Sequence, residues 1–166
     1  MPDAARFLLR FVAWFAALQA GYYALPDDWL REVFVQNVVA APVAALLHAV
    51  SNSAVVATGG ALHGMAHSLF IVRGCDGTGA ILLSSAALLA TRVSWRVRLP
   101  AIVIGGLLLY AMNLVRIAVL FETMQGSMPL FNAVHGVLAP TFTVLVTCAI
   151  YAWCMDHPAA AEQRNA

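Results

Sequence analysis

Three side chains stand in settings suited to acyl transfer: a thiol at Cys75, a guanidinium at Arg116 and an imidazole at His135. Cys75 lies in Gly74-Cys75-Asp76-Gly77, directly before an apolar stretch that reads as a helix. The reactive form of cysteine is the thiolate, and a helix N-terminus or a nearby guanidinium favours that anion. Asp76 acts in the opposite sense through its own charge, unless it caps the helix. Arg116 is embedded in the clearest apolar run of the chain, Leu99 to Phe121. A charge at such depth costs several kcal/mol on insertion scales and is rare without a task. The bland alternative is snorkelling, since the span ends within a turn or two of Arg116. Asn113 precedes it by three residues on the same helix face, so the two form an N-x-x-R stripe. His135 opens another apolar run, where a histidine alone is a cap or a satisfied polar group. Beside a thiol it becomes a general acid or base. Glu122 closes the Arg116 span and has three candidate partners: Arg116, His135 or a substrate.

Other reactive residues carry less. His63 and His67 are four apart, but Gly59, Gly60 and Gly64 disfavour the helix that would converge them. No third ligand is evident, so no metal is expected, and acyl transfer through a cysteine thiol needs no cofactor. The three cysteines, Cys75, Cys148 and Cys154, lack the spacing of a disulfide framework or a zinc site. Cys148 and Cys154 read as small residues buried in an apolar run.

The elements that must position these groups are membrane spans. The 166 residues are 62% hydrophobic and 10% charged, with a net charge of +1. A soluble domain carries about 25% charged residues. Water therefore cannot cover this chain, membrane lipid must, and nothing in the charge suggests nucleic acid. The expected fold is an all-α polytopic membrane protein with about four transmembrane helices. These are about Phe7 to Leu25, Gly77 to Ala90 (short), Leu99 to Phe121, and Ala133 to Met155. The first reads as a retained anchor, because no convincing cleavage site follows it. Val33 to Val50 contains Pro42, Gln36, Asn37 and His48, and reads as an interfacial or re-entrant helix. Between it and Cys75, Val55, Val56 and Ser68 to Val72 are strand-like, with glycines between them. A short β-hairpin on the outer face is expected there. Residues 1–157 read as a single domain and 158–166 as a disordered cytoplasmic tail.

Charge then orients the spans. Arg6 and Arg10 place the N-terminus in the cytoplasm, and Arg92, Arg96 and Arg98 place the loop before the third span there too. Arg116 lies ~26 Å along its helix from Leu99, in the outer leaflet. Cys75 and His135 open their spans at that same outer level.

The segments V-R-G-C-D-G-T-G, N-L-V-R-I and F-N-A-V-H-G, in that order, resemble the exosortases, which are similar to archaeosortases. These are membrane-embedded cysteine transpeptidases, functionally analogous to sortases. The resemblance covers roughly Ile71 to Leu145 and rests on a Cys-x-Gly at a helix start, an Asn-x-x-Arg-Ile in a later span and a downstream His. It implies Cys75 as nucleophile, Arg116 as essential arginine and His135 as acid or base; Asn113 and Gly77 belong to the matching motifs, and Asp76 and Glu122 join them as supporting candidates from their positions in the sequence. Asp76 stands where the family often has Ser, and no arginine closely follows Gly77. The implied activity is cleavage of C-terminal sorting signals of exported proteins: a Pro-Glu-Pro-type motif, a membrane helix and a basic tail. The implied setting is the bacterial inner membrane, with the site toward the periplasm and an acceptor left open. Two rivals remain: a non-enzymatic membrane partner in polysaccharide or protein export, and a small transporter or channel subunit. The second needs a continuous polar path, whereas the polar residues cluster on one side.

Overall fold

The computed structural model describes residues 3–51, 54–65 and 67–156, the side chain of Gln125 excepted. The expected tail, 158–166, lies outside them. Among the described residues the order is helix α1 (Asp3–Tyr23), helix α2 (Asp27–Ser51), strands β1 (Val56–Thr58), β2 (Ala61–His63) and β3 (Ser68–Phe70), then helices α3 (Thr78–Ala90), α4 (Trp95–Gly126) and α5 (Met128–Asp156). Two stretches are wound as π-helix: Leu30–Ala40 within α2 and Val134–Leu138 within α5. The α4–α5 break is local chemistry. Gly126 ends one helix, and Ser127 takes an extended conformation and caps the next, its Oγ accepting from the Leu130 N–H at 3.4 Å. Pro129 sits in that first turn, where a missing N–H costs nothing.

The contacts group the chain into two compact units. One holds α1, α3, α4 as far as Tyr110, and α5 from Thr143; the other holds α2, the sheet, the Cys75 loop, α4 from Ala111, and α5 up to Phe142.

In the first unit α1 packs along α3. Phe7, Phe11 and Phe15, four residues apart, stack at 6.3 and 6.1 Å along α1. Leu8, Leu9 and Val12 beside them are exposed. Gly105 lets α4 and α5 approach closely, since a Cβ there would lie 2.9 Å from Ile150. Arg98 closes the end of α3, donating from Nη2 to the carbonyls of Thr91 at 2.7 Å and Val93 at 2.6 Å.

In the second unit α2 buries Val35, Val39, Val43 and Leu47, one residue per turn, and packs on β1 and β2. The sheet is antiparallel, in the order β1-β2-β3. Its tight turn is Gly59-Gly60, with φ of 61° and 75°, the mirror-image geometry that matches strand twist and that glycine adopts freely. Gln36 pins this hairpin to α2: its Nε2 donates to the Ala57 carbonyl, and its Oε1 accepts from the Gly60 N–H, both at 3.0 Å. The core closes where Phe121, fully buried, meets Gly64. Sequence reading expected one hairpin from Val55–Val56 and Ser68–Val72. The extra strand β2 arises because Leu62 and Ala61 bury completely between the other two.

Three helices are long and apolar enough to cross a membrane: Asp27–Ser51, Trp95–Met124 and Met128–Asp156. The last two contain the expected third and fourth spans. The other two of the four expected spans are not among these three. α3 has 13 residues, about 20 Å, and the Cys75 end is a turn that adds no helix to it. α1 is long enough, but Asp3, Arg6 and Arg10 lie in its first turns and lower its hydropathy. The expected re-entrant segment, Val33 to Val50, instead lies within an uninterrupted helix of 25 residues. Pro42 does not break it, because the turn before it is wound wide: Ala41 N–H donates to Gln36 O, five residues back.

Candidate functional site

The Cys75 loop is a tight turn held at both ends. Gly74 and Gly77 adopt φ of 90° and 84°, which side-chain-bearing residues rarely tolerate. The Cys75 N–H donates to the Val72 carbonyl at 3.0 Å, and the Gly74 N–H donates to Asp76 Oδ1 at 3.3 Å. Asp76 is buried and braces the loop. Before the loop, Arg73 donates from Nε to Asp27 Oδ1 at 2.9 Å and from Nη2 to the Leu25 carbonyl at 2.6 Å. The strand leading to Cys75 is thereby tied to the start of α2.

After the loop, Asn113 receives it. Its buried side chain donates from Nδ2 to the Cys75 carbonyl at 3.3 Å. A Cβ on Gly77 would lie 2.7 Å from Asn113 Cγ, so only glycine allows this seat. The G-C-D-G turn and the N-x-x-R stripe, 38 residues apart, thus dock on each other. Arg116 is one turn further along the same face, a rise of about 4.5 Å. Its side chain is half-buried, and its Nε is buried with no hydrogen-bond partner. A buried donor left unpaired costs about 1–3 kcal/mol, more when charged. A carboxylate, or the oxygen of a polarised carbonyl, would satisfy it.

The remaining expected residues lie elsewhere on the same unit. His135 is exposed within the π-helical turn, its ring stacked parallel on Phe131 at 5.7 Å. Among the described residues it makes no hydrogen bond to Cys75 or Arg116. Glu122 is exposed and accepts from Ser51 Oγ at 2.9 Å. Cys75 is half-buried, Cys154 buried, and Cys148 exposed. No group of three or more metal-ligating side chains occurs among the described residues. His63 Nδ1 pairs with Ser68 Oγ at 2.9 Å, across the β2–β3 pair. An apolar groove of about 340 Å³ runs from Val115, beside Arg116, past Leu47 and Val119 to Ser51 and Glu122.

Asn113 and Gly77 are conspicuous in the sequence, but the contact between them is not. Arg73 is absent from the expected site residues, although its position two residues before the thiol is a signal in the sequence. Gln36 reads only as a polar interruption of an apolar segment, and its bonds to the hairpin have no sequence signature. Compared with known protein families, curated proteins and solved structures, the chain matches none.

Proposed function

We propose that this chain is a membrane-embedded cysteine peptidase or transpeptidase of exosortase type, acting on C-terminal sorting signals of exported proteins. The observation that carries the reading is the docking of the Cys75 turn on Asn113, with the unpartnered Nε of Arg116 one turn along. The Cys75 thiolate attacks the scissile carbonyl carbon. Arg116 stabilises the oxyanion that develops, an interaction stronger in the transition state than in the ground state. The C–N bond then breaks, His135 gives a proton to the leaving amine, and a thioester remains for an amine or water. The groove beside Arg116 suits an apolar helix of the substrate. In this reading the protein is a multi-pass component of the bacterial inner membrane, with the site toward the periplasm. The cavity that gathers Arg6, Arg10 and Arg92 supports a single cytoplasmic side for the N-terminus and the basic loop. The test is co-expression of Cys75→Ala with a tagged substrate bearing such a signal. Processing is expected to stop; processing at the wild-type rate would remove the thioester mechanism.

One observation favours a second reading, a non-enzymatic partner in an export assembly. Among the described residues the Cys75 thiol has no hydrogen bond to a base. Alkylation in a Cys148→Ser background distinguishes the two. The enzyme reading expects Cys75 to react faster than in Arg116→Gln, whereas the partner reading expects no difference.

A further inference from the structure

We propose that the first unit carries a binding site for the phosphate-bearing headgroup of an anionic phospholipid, at the cavity where α1 begins and α3 and α5 end. The cavity, about 170 Å³, is lined by Asp3, Arg6, Phe7, Arg10, Arg92 and Tyr151, among others. Among the described residues three guanidinium groups face one carboxylate, so this lining keeps an excess of about two positive charges. Asp156, further along α5, is exposed at the same helix end. Asp3 holds Arg6 at 3.8 Å and Arg92 at 3.7 Å, with side chains half or more exposed. Ion pairs that long and that wet are worth about 0–1 kcal/mol, so a phosphate competes with them easily. Arg10 has no ion pair among the described residues. Arginine presents a planar fork that matches phosphate oxygens in pairs.

The cavity is also built for a lipid rather than for a soluble anion. Phe7 and Tyr151 meet edge to face at 6.2 Å at its apolar side. Leu8 and Leu9 on the adjoining face of α1 are exposed, at 59% and 67%. A headgroup seated among the arginines leaves its acyl chains against this surface. The inference does not depend on Cys75 chemistry; it needs only that the chain sits in a bilayer. Basic pockets between membrane helices recognise anionic headgroups through just these elements.

The experiment uses the purified full chain in neutral detergent, with phosphatidylglycerol or phosphatidylcholine added and retained lipid counted by native mass spectrometry. Wild type is expected to retain phosphatidylglycerol at least tenfold over phosphatidylcholine. Arg10→Gln alone, at an exposed helix position, is expected to weaken retention about fivefold, the fold-change of one arginine near a surface. Arg6→Gln/Arg10→Gln/Arg92→Gln is expected to weaken it by roughly two orders of magnitude. Arg31→Gln/Arg96→Gln removes charge outside the cavity and is expected to leave retention unchanged. Equal losses in both sets would mean diffuse charge attraction and would overturn the site. Displacement of phosphatidylglycerol by millimolar inorganic phosphate, matched by phosphate binding to wild type, would overturn the lipid as its ligand.

Discussion

At the scale of single residues, Asn113 and Gly77 set where the Cys75 sulfur sits. Gly77→Ala must place a methyl group 2.7 Å from Asn113 Cγ while holding φ near 84°. The left-handed backbone costs about 1–2 kcal/mol, and the overpacking about 1–3 kcal/mol more. The expected outcome is a fall of about 2–5 kcal/mol in detergent unfolding experiments. Asn113→Ala in the same chain should relieve the overpacking, lose the bond to the Cys75 carbonyl and leave the backbone part. Arg116 supports a different prediction, about rate. If its Nε awaits the developing oxyanion, Arg116→Gln should lower substrate processing about 10²–10³-fold with little change in stability. Arg116→Lys should rescue little, because an ammonium lacks the fork. A lysine variant as active as wild type would reduce Arg116 to a membrane-level charge.

At the scale of elements, the sheet and α2 form the frame that delivers Cys75. Gln36 bridges them with two bonds, so Gln36→Leu leaves the Gly60 N–H and the Ala57 carbonyl without that partner. Each buried group left unpaired costs about 1–3 kcal/mol. A matching drop in unfolding stability is expected, together with faster hydrogen exchange in β1 and β2. The Arg73–Asp27 contact is shorter, 2.7 Å, but Asp27 is largely exposed. Its coupling energy in an Arg73→Ala/Asp27→Ala double-mutant cycle should therefore be about 1 kcal/mol or less. A larger effect on Cys75 alkylation than on stability would identify Arg73 as a positioning residue for the thiol.

At the scale of the whole molecule, the question is which ends share a side of the membrane. The proposed orientation needs α3 and one of α1 and α2 to cross besides α4 and α5, and so predicts cytoplasmic reporter activity for fusions at both termini; crossing by α2, α4 and α5 alone would put the termini on opposite sides. It also predicts that Cys75 in a Cys148→Ser background is alkylated from the outer face by a membrane-impermeant maleimide. Labelling only after the membrane is opened would invert the topology and detach the site from exported substrates. The short α3 and the charged start of α1 make this measurement informative, because length and hydropathy alone single out only α2, α4 and α5.

Two long apolar helices near the C-terminus, each able to cross a membrane, and the residues worth watching were legible in the sequence. Those follow from composition and from runs of apolar residues, which are local properties. It also placed Cys75, Asn113 and Arg116 in one list, because glycine-flanked thiols and charges within apolar runs are conspicuous one residue at a time. How they meet is a matter of long-range packing. The seat of the Cys75 turn on Asn113 depends on two segments 38 residues apart and on the absence of a single Cβ at Gly77. The continuity of α2 through Pro42 depends on wide π-helical winding that no apolar period announces. The third strand depends on Ala61 and Leu62 burying between their neighbours. His135 shows the same division from the other side. It reads as opening a span from about Ala133, whereas α5 begins at Met128 and carries it two turns in; the helix start at Ser127 and the ring stacking on Phe131 are matters of capping and packing.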